Sequence, residues 1–118
     1  MKVFILDPDE LMAEALKEAV IRIGLGPDVI TIESQELAMY KATHELPLPN
    51  LLIASFEDRE SMKESDHAFL RQMKSSCPGL RVVALVLHGE SEEVDNVSFV
   101  ARRDLLDKNA LKSALVET

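Results

Sequence analysis

Acids, a serine, a histidine and a basic pair are the residues of this chain that could do chemistry. Asp7, Asp9, Glu57 and Asp58 flank two apolar runs, and carboxylates that converge can hold a divalent cation such as magnesium. The plainer reading is that Asp9 caps a helix and the others are solvated loop acids. Ser55 could be a nucleophile or a phosphate acceptor, yet no base stands beside it in a recognisable arrangement, and the plainer reading is a small residue filling a strand end. His88 has no Cys or His partner at ligand spacing and reads as an exposed loop histidine. Arg102 and Arg103 leave two readings open. They form either a solvated pair ending an edge strand, or a site in which Arg102 reaches Asp7 as a permanent ion pair; such a pair, if exposed, contributes about 0 to 1 kcal/mol.

The elements that must position these residues alternate along the chain. Lys2 to Leu6 is a short, almost wholly apolar run, the pattern of a strand covered on both faces. From Glu10 to Ile23, Leu11, Met12, Ala15, Leu16, Ala19, Val20 and Ile23 recur at helical spacing, with Asp9 as N-cap and Gly24 as stop. Asp28 to Glu33 reads as a second strand, and Ser34 caps a helical stretch reaching about Glu45, ended by Pro47 and Pro49. Asn50 to Phe56 is a third strand-like run. A helix follows near His67 to Ser75, closed by Pro78 and Gly79, with Cys77 in what reads as a loop. Arg81 to Leu87 is the clearest buried strand, Val97 to Ala101 a fifth, and Asp107 to Glu117 a last helix. Five alternations predict right-handed crossovers and a doubly wound parallel sheet, with function gathered at the carboxyl ends of the strands.

Composition narrows the classes. The 118 residues, 47% apolar, suffice for one core, so Met1 to Thr118 is expected to be one domain, with any second domain lying beyond Thr118. A net charge of −8 disfavours binding to nucleic acid or to anionic membrane and favours a protein partner. One cysteine fits a reducing cytoplasm, and no apolar stretch approaches the roughly 20 residues of a membrane helix, so a cytoplasmic location is expected. The four glycines form neither a dinucleotide-binding turn nor a P-loop, and Ser55 and His88 lack a convincing third member of a triad. An enzyme is not expected.

The clusters at the strand ends resemble the receiver domains of bacterial response regulators, over essentially the whole chain. KVFILDPDELMAEALKEAV is similar to that family's first strand, acidic pocket and first helix; PNLLIAS to its third strand, RVVALVLHGE to its fourth and SFVARR to its fifth. The resemblance implies a flavodoxin-like, CheY-like fold with a five-stranded parallel sheet in the order 2-1-3-4-5. It also implies two-component signalling, in which a phosphorelay passes a phosphoryl group from a histidine kinase to an aspartate beside a carboxylate-held divalent cation. Here each site position is altered. Asp7 remains, but Pro8 replaces the second acid, Ser55 the acceptor, Val86 the threonine or serine, and Arg102 and Arg103 the lysine and proline.

A degenerate pseudo-receiver is therefore expected, without cofactor or metal, acting as a phosphorylation-independent interaction module. Only eleven residues, Leu87 to Val97, separate the fourth strand's end from the start of the fifth. A normal helix there would need roughly 10 of them, so the fourth helix is expected to be a turn or missing. The family's docking face is expected to survive around Phe99, Arg102 and Arg103, for a protein partner that includes a second copy of the chain as one possibility. The alternatives are a small-molecule-sensing pseudo-receiver and, further off, a small flavodoxin-like enzyme.

Overall fold

The computed structural model describes residues 2–25, 28–57, 60–87, 92–94 and 97–101, the segment 92–94 by its backbone alone. Along the chain run β1 (Val3–Leu6), α1 (Glu10–Arg22), β2 (Val29–Ile32), α2 (Gln35–His44), β3 (Leu51–Phe56), α3 (Glu64–Ser76), β4 (Arg81–Val86), β5 (Glu92–Val94) and β6 (Val97–Ala101). The sheet order is β2-β1-β3-β4-β6-β5. Every pairing is parallel except that of β5 with β6. Counted without the short β5, these are the five parallel strands of the expected 2-1-3-4-5 order.

Alternation along the strands divides the core in two. Phe4, Leu6, Leu52, Ala54, Val82 and Ala84 pack with Ala38 and Ala42 of α2 and Phe69, Leu70 and Met73 of α3. Val3, Ile5, Leu51, Ile53, Val83 and Leu85 pack with Ala13, Leu16 and Val20 of α1. Each fully buried Val, Leu, Ile, Phe or Met among them contributes roughly 1.5–3 kcal/mol. β1, β3 and β4 thus lie between helical layers, which explains their near-continuous apolar runs.

Local chemistry sets the helix ends. Asp9 Oδ1 accepts from the backbone N–H groups of Leu11 (3.0 Å) and Met12 (3.3 Å), so the expected N-cap is formed. Gly24, at φ +87°, follows α1 with a backbone conformation few other residues adopt. Ser34 Oγ accepts from Leu37 N–H at 3.1 Å and caps α2. α3 begins at Glu64, earlier than its apolar pattern implies, because Asp66 Oδ2 accepts from the Lys63 N–H at 3.0 Å and steadies a first turn made of polar residues.

Three further outcomes concern the expected elements. Between β4 and β6, Glu92–Val94 is a strand paired antiparallel to β6, which leaves no room for a three-turn helix there. Cys77 does not sit in an open loop: it is the C-terminal cap residue of α3, its N–H donating to Met73 O at 2.9 Å, with its side chain 1% exposed. Burial pushes its thiol pKa up. The helix expected over Asp107 to Glu117 lies outside the described residues.

Candidate functional site

Asp7 immediately follows β1. The register that sets Leu6 opposite Ala54 brings Asp7, one step on, beside Ser55. Asp7 is 4% exposed, and with Lys2 it is one of two buried polar or charged residues among those described. Its Oδ1 accepts from the Asp9 N–H at 2.9 Å, and its Oδ2 accepts from Ser55 Oγ at 2.7 Å. A hydroxyl donating to a carboxylate at that length is a strong, charge-assisted hydrogen bond. Nothing near Ser55 in sequence announces its partner, which lies 48 positions away. Only the shared strand-end position could have pointed to it.

The other candidate residues divide. Pro8 is exposed and contributes no side-chain oxygen. Asp9, exposed, turns its carboxylate to the α1 cap. Glu57 is exposed, and its carbonyl accepts from Leu87 N–H at 2.8 Å, tying the end of β3 to the end of β4. Val86 is 1% exposed and belongs to the α2/α3-side core, paired with Phe56 rather than with Ser55. Asp58, His88, Arg102 and Arg103 lie outside the described residues. Phe99, expected on a docking surface, requires correction: it is 6% exposed and packs in the core on the α2/α3 side, because β6 lies between β4 and β5 rather than at the open edge of the sheet.

A divalent cation of the kind the resemblance implies needs several oxygens that converge. Asp7 already accepts from two donors, Asp9 is turned to the helix and Pro8 offers no side-chain oxygen, so Asp7, Pro8 and Asp9 do not by themselves bring several oxygens together for such an ion. Among the described residues no three His, Cys, Asp or Glu side chains are grouped to hold a metal.

Two residues absent from the expected site prove to border it. Gln35 Nε2 donates to Asp66 Oδ1 at 2.8 Å, joining the N-terminal turns of α2 and α3. Both residues line a cleft of about 240 Å³ with Pro8, Glu33, Ser55 and Phe56. Their separation of 31 positions leaves no signal in the sequence. Among the described residues, no helix is long and apolar enough to cross a membrane.

No family model matches the sequence, and no curated protein does. Solved structures do. The chain is similar to a pilus assembly-related protein from Burkholderia pseudomallei, with 14% identity over 97% of this chain and 85% of that one and a TM-score of 0.71. It is similar to a two-component transcriptional regulator from Clostridium phytofermentans, with 16% identity, 98% and 91% coverage and a TM-score of 0.70. A response regulator receiver domain protein from Clostridium thermocellum is 19% identical, with 96% and 92% coverage and a TM-score of 0.63. Sequence identity at this level carries no shared chemistry, but the geometry agrees along nearly the entire length, and the chain has the fold of response regulator receiver domains.

Proposed function

We propose that this chain is a receiver-like signalling domain that is not phosphorylated and that works in the cytoplasm as a protein-interaction module whose binding does not depend on phosphate. The observation that supports the reading is the 2.7 Å bond from Ser55 Oγ to Asp7 Oδ2, between the two strand ends that the resemblance assigns to the acceptor aspartate and the acidic pocket. A phosphoryl group on Ser55 would break that bond and set up to two negative charges against the buried Asp7 carboxylate. Similarity to a protein named for pilus assembly supports a use of this fold in assembly as well as in two-component regulation. No catalytic role is proposed. Arg102 and Arg103, which follow β6 in sequence, remain candidate partner contacts by position alone.

The test is incubation with acetyl phosphate and magnesium, read by intact mass and amide chemical shifts. An unchanged mass and an unchanged spectrum are expected. A phosphoryl mass mapped to Ser55, or saturable magnesium shifts around Asp7, would overturn the reading.

A further inference from the structure

β2 is an outer strand of the sheet. Val3 N–H donates to Asp28 O, and Asp7 N–H donates to Ile32 O. Main-chain groups alternate along a strand, so Val29 and Thr31 turn their N–H and C=O away from β1, toward the side where, among the described residues, no strand pairs. α1 covers one face of the sheet here and α2 the other. Between them, over the carboxyl half of β2, runs an open groove of about 400 Å³. Its floor includes Ala13, Ile32 and Leu37, and its rim carries Glu10, Glu14 and Glu33. All three glutamates are exposed, and among the described residues none takes part in an ion pair or a side-chain hydrogen bond. Among the described residues, no basic one lines the groove.

We propose that this groove docks an extended, lysine- or arginine-rich segment of a partner protein, which adds to β2 as a further strand. The proposal rests on the reading of the chain as an interaction module and names its surface. Strand addition supplies affinity through main-chain hydrogen bonds, and the side chains alternating along the added strand supply selectivity. One set of those side chains would be small and apolar toward the floor, the other cationic toward the three glutamates. The charge also selects among occupants. A second copy pairing through its own β2 would bring two acidic rims together in a chain of net charge −8, whereas a cationic strand relieves the repulsion already present among the rim acids.

The experiment titrates the isotope-labelled chain with a peptide of about ten residues alternating lysine and valine. Saturable shifts centred on the Thr31 and Glu33 amides are expected, with slowed hydrogen exchange at Thr31. Replacing every lysine of the peptide by glutamate should abolish binding, and methylating its alternate main-chain nitrogens should weaken it at least about tenfold. Glu14→Lys together with Glu33→Lys should also weaken it at least about tenfold. Both positions are exposed, and an unchanged far-ultraviolet spectrum checks that the variant folds. No saturable shift, shifts centred elsewhere, equal binding of the methylated or acidic peptide, undiminished binding by the variant, or dilution-dependent Thr31 shifts without peptide would each overturn the assignment. None of those outcomes touches the mass measurement above, so failure here and failure of the phosphate-independent reading are distinguishable.

Discussion

β1 carries a buried ionisable residue at each end, and the two ends of the sheet treat them alike. At the amino end Lys2 is 6% exposed; its N–H donates to Asn50 Oδ1 at 2.9 Å, and its Nζ donates to Pro47 O at 3.0 Å and lies 5.5 Å from the centre of the Phe4 ring. At the carboxyl end Asp7 accepts from Ser55 and from Asp9. In both places a polar group of β1 is bound to the chain beside β3, and the sheet is closed there by local hydrogen bonds. The difference lies in strength. The Lys2 ammonium has one carbonyl and one ring face, whereas both Asp7 oxygens accept, one of them from a short hydroxyl contact. The carboxyl end, where receiver folds carry out chemistry, is here the better fastened of the two.

If that contrast is right, substitutions should rank accordingly. Asp7→Ala takes the acceptor from the half-buried Ser55 hydroxyl and from the Asp9 N–H, removes two hydrogen bonds to a buried carboxylate, and should lower unfolding free energy by about 3 kcal/mol in urea titrations. A cost below that of any Lys2 variant would reverse the comparison. Ser55→Asp sets a second carboxylate against Asp7 and should cost about 1–2 kcal/mol while the protein stays inert to acetyl phosphate. A stabilised or phosphorylated variant would show the carboxyl end to be a dormant receiver site rather than a structural joint. Lys2→Met keeps the apolar stem and loses one hydrogen bond and a cation–π contact, for about 1 kcal/mol.

The smallest effect lies away from both ends. Arg71 Nη2 donates to Glu64 Oε1 at 2.7 Å on the surface of α3 and holds the Glu64 carboxyl below its ordinary value of 4.5. A carboxyl whose folded-state pKa is depressed contributes stability above its unfolded value and loses it as pH falls through the folded one. Glu64→Gln should therefore be marginally less stable than the parent above pH 4.5, with the gap closing at more acid pH and shrinking in salt. A gap that widens on acidification would contradict the pairing.

Much of the frame was readable from residue order. Apolar runs gave five strands, Asp9 and Ser34 announced two caps by type and position, and Gly24 marked the end of α1. The start of α3 was not readable, because its first turn is polar and is held by Asp66 reaching back to Lys63. β5 was hidden for a similar reason: Glu92 and Glu93 have no strand preference of their own, and pairing with β6 imposes the conformation. Phe99 was placed on a docking face through the resemblance alone, while its burial depends on the elements that pack over it. Of the candidate site, the substitutions at Pro8 and Ser55 were visible through the resemblance. The bond that joins Ser55 to Asp7 was not, since it depends on the register between β1 and β3.

The buried cap at Cys77 has a use for the experimenter. With 1% of its side chain exposed and its acidity suppressed by burial, the thiol is out of reach of alkylating reagents until the carboxyl end of α3 lifts from the sheet. The labelling rate in native buffer then counts those openings, against the much faster reaction of the denatured chain, so the molecule carries its own stopwatch for the detachment of one helix end.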